Sequence, residues 1–149
     1  MKRVRHSISF IRRKPAEACL LLRIASWVAL LSCLIKVLPL PRVLSFVALP
    51  ARDPSPHEFP ITQERLVQLV DALLGIDFLC FTPTCWKRAP VLHRYLALYG
   101  IETRIVFGVR REKGASPLLL AGHAWLEAEG RPLFETSPPQ YTTTYSFPA

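Results

Sequence analysis

At Ile101 the chain changes its hydrophobic period. Upstream, apolar residues recur at helical spacing: Leu66, Leu69, Val70, Leu73 and Leu74 fall on one face, and Val91, Leu92, Tyr95, Leu96 and Leu98 on another. Downstream, Ile105, Phe107 and Val109 alternate with Arg104, Val106, Gly108 and Arg110, the two-residue period of a strand. A second extended run, 118–129, puts His123, Trp125 and Glu127 on one face and Ala124 and Leu126 on the other. Glu129-Gly130 is a hairpin signal, with 131–136 as the return strand. Helices first and an antiparallel sheet afterwards define an α+β domain. The last stretch, SPPQYTTTYSFPA, reads as irregular.

The helix ends are marked. Thr62 is a good N-cap, Ile61 and Leu66 have the spacing of a hydrophobic staple, and Gly75 is a stop. Thr82 or Thr84 can cap the next helix, which places Cys85 in its first turn, and Gly100 ends it. Pro90 interrupts that pattern. Either the helix kinks there, or a short turn carrying Cys85 leads into a second helix that opens on Pro90.

The 149 residues suffice for one domain and a short appendage. With 50% apolar and 20% charged residues the chain is not disordered. Its net charge of +8 is unevenly placed: Lys2, Arg3, Arg5, Arg12, Arg13 and Lys14 are 6 of the 19 basic residues and precede every acid. The near-neutral remainder argues against a nucleic-acid-binding face. A basic arm beside an apolar helix instead suits a solvated tail or a peripheral contact with anionic lipid through residues 1–38.

That helix occupies 16–40. Its uninterrupted apolar run, 24–35, is 12 residues long and bounded by Arg23 and Lys36, short of the roughly 20 that span a bilayer. A bundled or interfacial helix is therefore expected rather than an anchor or a cleaved signal. Pro39 and Pro41 end it, 42–49 form a short turn, and 50–60, with four prolines, is a linker. Cys19, Cys33, Cys80 and Cys85 are too few for a disulfide scaffold, so a reducing, cytoplasmic setting is expected. Cys80, Cys85, His93 and His123 lack the spacing of a zinc site, and no metal or bound cofactor is expected.

The chemistry-bearing residues are Cys85, His123 and Glu135. Free N–H groups at a helix start favour negative charge on a sulfur, which makes a thiol there a candidate nucleophile. A histidine on a nearby strand can take its proton, and a carboxylate on the next strand can fix the imidazole. A strict two-residue turn at 129–130 puts Glu135 on the opposite sheet face from His123, whereas a longer turn with a bulge brings them together. This order of nucleophile on a helix, base and acid on successive strands is that of a papain-like or transglutaminase-like fold.

The stretches TCWKRAPVLHRYLALYGIETRIVFGVRR and GHAWLEAEGRPLFE, within residues 62–136, resemble the leader peptidases of lasso-peptide biosynthesis, the B proteins of the transglutaminase-like superfamily. Shared are Cys-x-x-Arg-Ala opening a helix, Leu-x-x-x-Gly-Ile closing it, a strand ending in Gly-Val, and His-Ala-Trp-Leu-Glu before a glycine turn. The resemblance implies Cys85 as nucleophile, His123 as general base and Glu135 in a place normally held by aspartate. It also implies removal of the leader from a ribosomally made precursor peptide, a separate leader-recognition protein, a cyclase partner, and ATP dependence in the wider system. The implied organisation is a basic arm (1–15), an apolar helix with a Pro-rich loop (16–60) and a transglutaminase-like catalytic domain (61–149). Two other readings stay open: another acyl transfer on the same three residues, or a non-catalytic scaffold subunit of a maturation complex.

Overall fold

In the computed structural model, residues 15–48, 61–76, 84–111, 120–135 and 140–148 are described. The basic arm, the Pro-rich stretch, Cys80 and residues 112–119 lie outside them. Four helices come first: α1 (Pro15–Leu34), α2 (Leu40–Val47), α3 (Gln63–Leu74) and α4 (Cys85–Leu98). Four strands follow, β1 (Arg104–Arg111), β2 (Leu120–Ala128), β3 (Arg131–Leu133) and β4 (Thr142–Phe147), in one antiparallel sheet of order β3-β2-β1-β4. The α+β expectation holds, with the apolar helix at its N-terminal end.

Helix α4 is the hub, touching α1, α2, α3, β1 and β2. Its Leu92 and Leu96 are wholly buried, with Ala89, Val91 and Tyr95 nearly so. They meet Ile24 and Val28 of α1, Val43 and Leu44 of α2, Leu66 and Val70 of α3, and one face of the sheet through Ile105, Ala124 and Leu126. All helices thus share a single core with the sheet. The other sheet face carries the register pairs Arg104–Glu127, Val106–Trp125 and Gly108–His123.

Local chemistry explains the boundaries. The Arg65 N–H donates to Thr62 Oγ1 at 3.3 Å, the expected cap of α3, and Gly75 closes that helix. Helix α1 ends at Leu34, and Pro39 becomes the N-cap of α2 with Pro41 in its first turn, a position that tolerates a missing N–H. What read as a short turn at 42–49 is this helix. Arg94 of α4 ties the pieces together: its guanidinium lies 3.7 Å from the Trp27 ring centroid, over the ring face, and donates to the carbonyls of Phe46 and Val47 at the end of α2.

Three expectations need correction. The two-helix alternative at Pro90 is not seen: α4 runs through it as one helix, because burial of Ala89, Pro90, Val91 and Leu92 against three other helices outweighs one lost hydrogen bond. The return strand β3 stops at Leu133, short of 136. The tail is not irregular: 142–147 form β4, which pairs with β1 on the side away from β2.

Candidate active site

Cys85 is the first residue of α4 and is half-buried. Its N-cap is Thr84, in extended conformation, whose carbonyl accepts the first helical N–H groups, of Lys87 and Arg88, while its hydroxyl does not cap the helix. The expected placement of the thiol in a first turn is met.

His123 stands on β2 beside two aromatic rings. Trp125 is nearly parallel to it at a centroid distance of 5.9 Å and 17°, and Tyr141 lies at 5.2 Å and 31°. Trp125 and Tyr141 also touch each other, at 6.3 Å. Trp125 is held in turn: its Nε1–H donates to Glu127 Oε1 at 3.0 Å, and Arg104 lies 3.4 Å from the other oxygen of that carboxylate. Arg110 sits over the Tyr141 ring at 4.9 Å. Gly108, across from His123, leaves room for this cluster: a Cβ there would lie 2.8 Å from Tyr141 Cβ and 2.9 Å from Trp125 Cη2.

Glu135 reaches His123, with Oε2 at 3.4 Å from Nε2. The turn between β2 and β3 is the strict two-residue one, with Glu129 and Gly130 both at positive φ. In continued register Glu135 would face away from His123. The strand instead breaks at Phe134, whose φ of 58° is in the left-handed region that a phenylalanine adopts only when its surroundings enforce it. That break brings the carboxylate to the imidazole. Engaging Nε2, it favours the tautomer with its proton on Nε2 and an unprotonated Nδ1.

Arg88 completes the arrangement. One turn beyond Cys85, it grips Asp71 of α3 with Nε at 2.7 Å and Nη2 at 3.3 Å, while Nη1 stands 3.7 Å from Glu135 Oε1. A chain of contacts thus runs from α3 through α4 to the acid and the imidazole. The structure brings His123 and Glu135 together directly and joins both to the Cys85 helix through Arg88. No hydrogen bond joins Cys85 to His123 among the described residues.

Arg88 and Tyr141 were not legible as site residues. The spacing Cys85-x-x-Arg88 set the arginine on the thiol's helical face, but nothing local named its partners. Tyr141 lies just before an element that was not expected. Glu127 is largely buried between Trp125 and Arg104.

Residues 18–146 match the transglutaminase-like superfamily, and the chain belongs to it. This superfamily includes cysteine peptidases and transglutaminases, both of which work through a thiol nucleophile. The chain matches no curated protein and no solved structure.

Proposed function

We propose that the protein is a cysteine peptidase that removes the leader from a ribosomally made lasso-type precursor peptide. The observation that carries this reading is the His123–Glu135 pair, tied by Arg88 to the helix that opens on Cys85. The leader-peptidase motifs at those same residues favour a peptide substrate.

In this mechanism His123 Nδ1 takes the Cys85 proton and the thiolate attacks the scissile carbonyl. The tetrahedral intermediate collapses to a thioester as the imidazolium protonates the leaving amine. Water, deprotonated by the same imidazole, then hydrolyses the thioester and restores the thiol. Glu135 keeps the ring in its productive tautomer and offsets the charge on the imidazolium, and Arg88 holds Glu135. Trp125 and Tyr141 fix the plane of the ring and supply an apolar wall for the peptide. A separate leader-recognition protein and a cyclase are the proposed partners, in the cytoplasm.

The test is incubation of a lasso-type precursor with the protein and a leader-binding partner, read by mass spectrometry. Leader and core peptide should appear with a combined gain of one water. Cys85→Ala and His123→Ala should abolish this while circular dichroism stays unchanged. Undiminished cleavage by both variants would refute the assignment. A product carrying an amine in place of water would instead identify an acyl transferase on the same residues. A chain whose Cys85 shows no preferential labelling by a thiol-reactive probe, and no turnover, would be a scaffold subunit.

A further inference from the structure

Helix α1 has two apolar faces, and the fold uses one. Leu20, Ile24, Val28 and Leu31 are buried in the shared core, against α3 and α4. On the opposite side Cys19, Leu22, Ser26, Leu30 and Cys33 recur at intervals of three and four, with Val37 following in the turn, and all are exposed. Leu22 is 70%, Leu30 44% and Val37 81% exposed, so the stripe is open over its length. By length and composition Glu17–Leu34 could cross a membrane, but a third of it is buried within the domain. A helix clamped along one side to a folded body lies on a surface; it does not thread through one.

Charge says which surface. Residues 1–48 contain nine basic residues (Lys2, Arg3, Arg5, Arg12, Arg13, Lys14, Arg23, Lys36 and Arg42) and one acid, Glu17. Residues 49–149 contain ten of each sign, so the whole net charge of +8 belongs to the first 48. The single acid faces inward: Glu17 is 5% exposed and pairs with Arg65 of α3 at 3.1 Å. Lys36, exposed, adjoins the stripe next to Val37, where its long aliphatic stem can lie on apolar surface with its charge at the edge. An open apolar stripe, a cation at its margin, a cationic segment preceding it in sequence and no outward acid match the chemistry of an anionic lipid leaflet.

The geometry points to a peripheral membrane contact. The outer face of α1, with the basic segment before it, seats the protein flat on an anionic bilayer, α1 parallel to the membrane plane and the core intact. The inference is independent of the peptidase reading.

The test is co-sedimentation of the full chain with large unilamellar vesicles of phosphatidylcholine alone or with about a third phosphatidylserine. Binding to the anionic vesicles, weakened at least tenfold by 0.5 M NaCl, is expected. It should also fall at least tenfold in Leu22→Glu/Leu30→Glu, whose exposed positions leave circular dichroism and thermal unfolding unchanged. Neutralising Arg12, Arg13 and Lys14 together should weaken binding without altering the fold. Equal binding by wild type and the double variant would overturn the proposal, as would no binding to anionic vesicles. Resistance to alkaline extraction would make α1 a spanning helix, and a lipid-free dimer dissolved by the double variant would make the stripe a self-association face. Either result also overturns it.

Discussion

Gly108→Ala isolates the space around the imidazole. Its added methyl would meet Tyr141 Cβ at 2.8 Å and Trp125 Cη2 and Cζ3 at 2.9 and 3.0 Å. Carbon atoms are at ease at about 3.5–4.0 Å, so each contact is too short by about half an ångström or more. Neither neighbour yields easily: the Tyr141 atom is one bond from the backbone, and Trp125 is 3% exposed and held by Glu127. Overpacking of this kind costs about 1–3 kcal/mol. Alanine recovers about 0.5–1 kcal/mol through reduced freedom of the unfolded chain. The net loss lies between zero and about 2.5 kcal/mol, centred a little above 1 kcal/mol, where Tm falls by about 2–5 °C for a chain of this size. Both displaced rings flank His123, so precursor cleavage should drop well below the Tm, beyond what the unfolded fraction accounts for. Gly122→Ala is the control, because its Cβ meets nothing within 4 Å and it precedes the same histidine; it should be neutral or slightly stabilising. Differential scanning fluorimetry and a cleavage assay on both variants decide the matter. A Gly108→Ala protein that melts at or above wild type and cleaves at the wild-type rate would refute the packing argument.

Arg88→Gln should lower kcat for cleavage more than it raises KM and should shift the pH–rate profile, since it frees Glu135. Asp71→Asn should do the same more weakly, and unchanged profiles in both would remove Arg88 from the site. Burial pushes His93 below the usual histidine range, against a smaller opposing effect of hydrogen bonding to the Thr103 backbone. The unfolded chain therefore takes up this proton first, and stability present at neutral pH is lost as pH falls from about 6.5 toward the lower folded value. Urea unfolding at several pH values should show that slope in wild type and a shallower one in His93→Asn; equal slopes would show that His93 is not its source. Leu92→Ala, at a wholly buried position between the helices and the sheet, should cost about 2–5 kcal/mol. A chemical-denaturation midpoint near that of wild type would mean the site collapses around the gap.

The parts that were legible in sequence are those governed by local rules. Thr62 capped its helix because a hydroxyl there has one obvious N–H to accept, and Ile105, Ala124 and Leu126 faced the core because alternation leaves a strand no other choice. The switch at Ile101 carried the fold class for the same reason. The failures are tertiary. Pro90 left a second helix open as an alternative because propensity ignores the helices that bury α4. Residues 142–147 looked irregular because Thr142, Thr143 and Thr144 show no apolar alternation, yet β-branched residues suit an edge strand whose partner is already in place. Glu135 was found by spacing, but its approach to His123 depends on the left-handed turn at Phe134, which no residue preference announces. Arg88 escaped because its value lies in two partners, 17 residues before it and 47 after it in the chain.

Strand order has a consequence for how the protein is made. β1 sits between β2 and β4, so its second edge is closed by a segment more than thirty residues further on, and the same segment delivers the ring that lies against the imidazole. A nascent chain that has emerged only as far as residue 140 has every one of the three chemistry-bearing side chains, but it presents an open row of main-chain donors and acceptors to any neighbour. One segment both closes the sheet edge and places the ring against the imidazole, so a substitution that disturbs 141–147 would harm both at once.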